Sequence, residues 1–343
     1  MRKYTVIILM LLIIAGISGV LMIYQRVLRN NINLQEGEIT EFYIPTGSVF
    51  SDVYRDLIDH DLLRDTASFR WTALKKNYPR HVYAGRYLIR AGMNNNELVG
   101  MLRAGRQEPV QLVFHNIRTP EQLAGVVSRQ IEADSLEILS IFSDPELIRE
   151  YQFTRETLPG VFIPNTYEIY WNTSGEEFLE RMVREYRIFW NEDRRTRAKR
   201  IALTPMEIVT LASIVDEEAL FQSEERRIAG VYMNRLERGM RLQADPTVKF
   251  AAGDMNISRV LTRQLDIDSP YNTYRKSGLP PGPIVIPSIS AIEAVLNYEK
   301  HRYLYFCARE DFSGYHNFAT NLTQHNKNAR SYQNALNQRK IFN

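Results

Sequence analysis

The sequence predicts a mixed α+β protein in three parts: an apolar N-terminal helix, a small β-α-α-β unit and a larger unit of helices and short strands. Three observations predict it. Residues 4–24 carry no charge. Strand-like alternation and helix-like spacing follow one another within residues 39–105. From residue 106 onward, capped helical stretches and short strand-like runs are separated by Pro- and Gly-rich loops. A length of 343 residues suits two compact domains plus an appendage. Apolar residues make up 44% and charged residues 24%, as in an ordered globular protein. The net charge of +3 gives no reason to expect nucleic acid, whose binders carry a clear basic excess.

Residues 4–24 are long enough to cross a bilayer as one helix. A cleaved signal peptide is the alternative, but its apolar core spans only ~7–15 residues. Arg2, Lys3 and the terminal amine outweigh Arg26 and Arg29 slightly, which favours the N-terminus inside and the rest outside. Residues 1–29 thus read as a cytoplasmic tip with a transmembrane helix, and the polar run 30–38 (NNINLQEGE) as a tether. Cys307, the only cysteine, sits in an apolar run and reads as a core thiol.

Within 39–105, ITEFYIP alternates like a strand and stops at a Pro-Thr-Gly turn. Val49, Val53, Leu57 and Ile58 have helical spacing, residues 68–76 read as a second helix, HVYAGRYLIRAG as a second strand, and residues 94–103 as a short helix. In 106–343, QEPVQLVFHNI reads as a strand, and TPEQLAGVVSRQI as a helix with Thr119 as cap and Pro120 first. Residues 158–170 form a punctuated loop and strand, and 175–200 are helical, ending in a basic cluster expected on a solvated face. Thr204-Pro205-Met206-Glu207 is a capping box that opens a helix to about Glu217. Another helix runs from Ser223 to Gly239. The chain then becomes loop-rich (QADPTV, SPYNTY, SGLPPGP) before a helix at 288–298, a strand YLYFCA and a last helix at 325–337.

The helix opened by Thr204 runs straight into Asp216, Glu217 and Glu218. The negative end of a helix, adjacent acids and apolar neighbours each raise a carboxylic pKa. A general acid needs such a rise to arrive protonated at neutral pH. Successive helix residues point about 100° apart, so at most one or two of the three can enter a cleft while the others face solvent. Glu218 is the leading residue; an acidic helix end at the surface is the alternative. The sequence has no HExxH, CxxC or calcium-loop pattern, no Gly-rich phosphate loop and no Gly-x-Ser-x-Gly elbow. No metal or other cofactor is expected. Polar and aromatic side chains crowd the later loops: Gln243, Asp245, Thr247, Tyr271, Asn272, Thr273, Tyr274, His316, Asn321, His325 and Asn326. Such groups could line a glycan groove, or could equally build turns.

The ordered runs LASIVDEEA, GVYMNRLERGMRLQADPTV, YNTY, SGLPPGPI, YLYF, HNF and NLTQHNK, with GVFIPNTYEIY before them, resemble the MltG (YceG-like) family of membrane-anchored endolytic murein transglycosylases. The likeness covers most of the chain. Residues 39–105 correspond by layout to that family's LysM-like subdomain, and 106–343 to its YceG-like catalytic domain. The family run is Ala-Ser-Ile-(Ile/Val)-Glu-Lys-Glu, whose final Glu is the catalytic acid; it falls on Glu218. Asp216 stands here for the first Glu and Glu217 for the Lys, which removes a nearby positive charge. Residues 284–288 also depart from the family's usual ending.

The resemblance implies an inner-membrane enzyme with its catalytic domain outside the cytoplasm. It would cut the β-1,4 bond between N-acetylmuramic acid and N-acetylglucosamine within peptidoglycan strands, giving 1,6-anhydro ends. Glycan strands are the implied partner, with cell-wall synthases (penicillin-binding proteins) beside them. A hydrolytic muramidase using Asp245 as second carboxylate and a non-enzymatic wall-binding anchor are the alternatives.

Overall fold

A computed structural model describes residues 2–115, 117–255, 257 and 260–339, with side chains from residue 7 onward; the cations Arg2 and Lys3 lie outside the described side chains. The chain divides into two compact units. The first comprises Met1–Leu112, Arg129–Ala133 and Tyr167–Ser174; the second comprises Val113–Ser128, Asp134–Thr166 and Gly175–Asn343. Residues 106–112 and two short segments further along thus belong with the first unit.

The first unit opens with α1 (Arg2–Ile23), which continues into one π-helical turn, Tyr24–Leu28. Then follow β1 (Ile39–Ile44), α2 (Phe50–Asp59), α3 (Thr66–Lys75), β2 (Gly85–Arg90) and α4 (Asn95–Arg103). The strands pair antiparallel, Ile39 opposite Arg90 and Ile44 opposite Gly85. Asp65 and Asn94 cap α3 and α4 by accepting the N–H of Ser68 and Glu97. Phe42, Ile44, Leu57, Phe69, Tyr87 and Leu98 fill the core between sheet and helices. Full burial of each such side chain contributes about 1.5–3 kcal/mol.

The stretch 30–38 is not a free tether. Ile32 is fully buried in this core, and Asn30 and Ile32 bridge to Asn94 and Leu63. The buried Asn31 amide donates to Asn95 Oδ1 at 2.8 Å and accepts from the Asp65 N–H at 2.7 Å. Ile32, with Leu34 packed beside the same core, draws the segment inward, and the neighbouring amide satisfies the backbone that burial would orphan.

The remaining elements are β3 (Val110–Phe114), α5 (Pro120–Val127), α6 (Ser135–Ser143), α7 (Pro145–Glu150), β4 (Asn165–Ile169), α8 (Gly175–Phe189), α9 (Glu192–Arg200), α10 (Pro205–Glu218), α11 (Gln222–Glu237), α12 (Asp245–Ala251), α13 (Thr262–Leu265), α14 (Ile289–Leu296), β5 (Tyr305–Ala308), β6 (His316–Ala319) and α15 (Leu322–Gln338). In the second unit α10 is the central rod. Residues 208–215 are all buried, and α11, α12 and α14 pack around it. The helical stretch 175–200 is two helices, split where Asn191 caps α9. Its basic cluster is not simply solvated. Arg194 and Arg197 hold Glu293 of α14 at 2.8 and 2.7 Å, and Arg195 donates to the Trp190 carbonyl. QADPTV is not all loop either: Asp245 opens α12, with Pro246 in its first turn, where a missing N–H costs nothing.

Candidate active site

Thr204 accepts the Glu207 N–H, Glu207 accepts the Thr204 N–H at 2.7 Å, and Pro205 starts α10. The apolar body of the helix, residues 208–215, is swallowed by the core, so only its two ends meet solvent. At the C-terminal end the three acids part company. Asp216 accepts from the Ser288 N–H and hydroxyl, both at 2.9 Å, tying α10 to the start of α14. Glu217 pairs with Arg118 at 3.1 Å. Neither simply faces water, as the sequence had suggested. Glu218, the last helical residue, turns into a cavity of about 450 Å³, within the usual size of ligand pockets.

Tyr232 of α11, itself buried, donates its hydroxyl to Glu218 Oε1 at 2.9 Å. Burial pushes the Glu218 carboxyl up to about 7. The Tyr232 hydrogen bond opposes this, the Asp245 charge adds to it, and Lys249 and Arg235 draw it down. Desolvation wins. The rise comes mainly from burial, with Asp245 rather than the adjacent acids as the contributing charge. Burial also holds the Tyr232 hydroxyl well above its ordinary range, so it stays a donor.

Gln243, Asp245, Tyr274, His316 and His325 line the same cavity, joined by Tyr232, Arg235, Tyr305, Phe306 and Cys307. Tyr274 donates to Asp245 Oδ1 at 2.6 Å. Gln243 adopts a left-handed φ of +50°, which normally costs a non-glycine residue about 1–2 kcal/mol; its N–H donates to the Thr273 carbonyl at 3.1 Å. Cys307 is half-buried on the cavity wall rather than sunk in the core, and burial raises its thiol pKa. Burial, with the Arg235 charge, lowers the pKa of His325, whose ring stacks on Tyr305 at 5.3 Å.

Six expected residues do not line this cavity. Thr247, Asn272 and Thr273 are wholly buried. The Thr247 and Thr273 hydroxyls lie 2.8 Å apart, while Asn272 donates to the carbonyls of Leu265 and Ile267 and accepts from the Tyr274 N–H. Their polar atoms are spent inside the protein, where they fix the loop that carries Tyr274. Tyr271 packs against Phe250 with ring centres 4.5 Å apart. Asn321 caps α15 by accepting the Gln324 N–H, and Asn326 is exposed on the same helix.

Several site-building residues escaped sequence reading because they sit in an ordinary-looking helix. Arg235, nearly buried, donates to the carbonyls of Leu304 and Leu242 at 2.6 and 2.7 Å and lies over the Tyr305 ring. Asn234 donates to the carbonyls of His301 and Tyr303, both at 2.9 Å. Together they clip β5 to α11. A Cβ on Gly230 would lie 2.3 Å from the Glu299 carbonyl oxygen, so only glycine admits that chain. Glu224, buried in the first turn of α11, receives the His316 backbone N–H at 3.2 Å and its Nδ1 at 2.9 Å. That contact fixes the imidazole in the wall of the cavity. Acids in a first turn, here Glu224 and Glu225, read from sequence as dipole partners, so this role carried no signal.

Residues 42–331 match the YceG-like family. The chain belongs to the YceG-like family. Similar proteins include the endolytic murein transglycosylase of Bacillus subtilis, 28% identical over 339 residues that cover 94% of this YceG-like chain and 93% of the relative. The endolytic murein transglycosylase of Streptococcus pneumoniae strain R6 is 30% identical over 327 residues; the match covers 85% of this chain and 58% of that longer protein. Among solved structures, a crystal structure of a YceG-like protein from Listeria monocytogenes aligns with a TM-score of 0.56 at 30% identity, covering 84% of this chain and 98% of that one.

Proposed function

We propose that this YceG-like protein is an endolytic murein transglycosylase. It cleaves the β-1,4 bond between N-acetylmuramic acid and N-acetylglucosamine inside glycan strands and leaves 1,6-anhydro ends, which would terminate growing strands. The observation that carries the mechanism is the Glu218 carboxyl, held near 7 by burial and fixed by the Tyr232 hydroxyl in an open cavity. Protonated Glu218 gives its proton to the departing glycosidic oxygen as the bond to the anomeric carbon breaks. The resulting carboxylate takes the proton of the sugar's own 6-hydroxyl as that oxygen closes on the anomeric carbon. One carboxyl serves both steps because its pKa lies near working pH. The polar wall of Gln243, Asp245, Tyr274, His316 and His325 orients the sugars, with Tyr305 offering an aromatic face. Thr247, Asn272 and Thr273 support that wall by fixing the loop that carries Tyr274.

A hydrolytic reaction is the second reading, favoured by Asp245 in the same cavity, since ordinary glycosidases use two carboxyl groups. Product mass separates them: hydrolysis adds one water. Strand binding without shortening would instead make the protein a wall-binding anchor.

The apolar helix fits a single-pass membrane anchor. Its placement in the inner membrane with both units outside the cytoplasm, a glycan-binding LysM-like role for the β1–α4 module, and work beside cell-wall synthases are parts of the same proposal.

A further inference from the structure

We propose that the outer face of α3 rests on the headgroup layer of a bilayer containing anionic phospholipid. The inference rests on the reading that the N-terminal helix spans that bilayer. The apolar span covers Ile7–Leu28. At ~1.5 Å per residue such a helix matches a hydrocarbon core of ~30 Å, so Arg26 falls at its edge. No slack follows. Thr72 Oγ1 and Asn95 Nδ2 donate to the Arg26 carbonyl at 3.2 and 2.8 Å, and the Tyr24–Leu28 turn packs on α3 and α4. The first unit is therefore clamped to the end of the membrane helix, and α3 shares the depth of that turn.

What α3 shows at that depth suits an interface. Ser68, Phe69, Thr72 and Ala73 face the core, leaving Arg70, Trp71, Leu74 and Lys75 on the outer face. The Arg26 guanidinium lies 5.4 Å from the Trp71 ring centre and Lys75 Nζ lies 5.9 Å from it. Leu74 is 56% exposed, and Tyr24 and Leu28 of the adjoining turn are 55% and 48% exposed. Aromatic rings prefer the headgroup level, and long basic side chains lay their stems on apolar surface while their charges reach phosphate. Helix α3 carries no acid to repel an anionic surface. A soluble acidic polymer would use the cations but leave Trp71, Leu74, Tyr24 and Leu28 in water. Lipid accounts for both sets.

The test uses the full-length protein with Cys307→Ser and one new cysteine, Leu12→Cys or Leu74→Cys, carrying a polarity-sensitive fluorophore. The protein is placed in vesicles of phosphatidylcholine with phosphatidylglycerol, containing either acyl-brominated or headgroup-nitroxide lipid as quencher. The expected result is quenching at position 12 by the acyl bromines and at position 74 by the headgroup nitroxide. Combining Arg70→Glu with Lys75→Glu lowers the quenching at position 74 several-fold. Quenching at 12 with none at 74 overturns the proposal and leaves the membrane helix standing. No quenching at 12 overturns the membrane helix, and this inference with it. Undiminished quenching at 74 in the double variant overturns the role of the anionic headgroups.

Discussion

Glu218 is a compromise between burial and charge, and its chemistry and its effect on stability share that origin. Its carboxyl titrates near 7 rather than the ordinary 4.5 because burial disfavours the anion. The folded state therefore holds that proton more tightly than the unfolded chain. The stabilisation is fully present below about 4.5 and is lost as pH rises through about 7, in total about 3 kcal/mol. Glutamine has no proton to lose. Glu218→Gln should thus abolish strand cleavage, a loss of at least roughly 10²–10⁴ in rate. It should also melt higher than the parent at pH 8, an advantage that shrinks to nothing near pH 4. A folded variant with near-normal turnover would remove Glu218 from the mechanism. A melting difference independent of pH would remove the burial account. In the parent enzyme, kcat/KM should fall above pH 7 as the acid loses its proton. Glu224 holds the His316 imidazole at 2.9 Å, and on the proposed mechanism it would act by positioning that ring. Glu224→Gln should lower kcat by about tenfold, ~1.4 kcal/mol of transition-state stabilisation, with little change in KM. A change in KM alone would mean that His316 serves binding only.

Local signals carried far at the level of elements. Thr204-Pro205 with Glu207, Thr119-Pro120 and Gly239 were readable because a cap, a proline at the first position and a left-handed terminator act within four residues. Asp245-Pro246 misled, since the same pair starts a turn or a helix, and packing on α10 decided for the helix. Ile32 misled in the opposite way: Ile32 and Leu34 are too few in a polar run to establish a period, yet Ile32 anchors the segment. Asn272 is the sharpest case. Its amide suggested sugar binding, but its bonds run to the Leu265 and Ile267 carbonyls in the interior. Asn272→Ala should therefore cost about 1–3 kcal/mol of stability by leaving buried groups unpaired, while activity per folded molecule stays near that of the parent. Thermal melts and titrated active protein check this; normal stability with lost activity would return Asn272 to the groove. The Arg26 carbonyl likewise predicts where the chain can be cut. A fragment beginning at Tyr24 should melt higher than one beginning at Asn30, which lacks the acceptor for Thr72 and Asn95. Equal melting temperatures would show that the turn adds nothing.

Across the whole molecule, the cavity gathers residues from Glu218 to His325 through β5, β6, α11, α12 and α15. Composition and periodicity pointed to Glu218 as a candidate and to five of the polar residues that share its cavity, but not to the contacts that hold them, because long-range pairing such as Glu224 with His316 leaves no local trace. The ordered motifs supplied what periodicity could not, and the match over residues 42–331 assigns the family. The division into units was less legible, since Arg129–Ala133 and Tyr167–Ser174 join the first unit through contacts far apart in sequence. The central claim is that Glu218 alone works as acid and then base on a sugar that closes on itself. Mass spectrometry of purified glycan strands digested by the full-length protein tests it most directly. The account predicts shortened strands ending in 1,6-anhydro-N-acetylmuramic acid, absent with Glu218→Gln. Products one water heavier, with reducing ends, would contradict it.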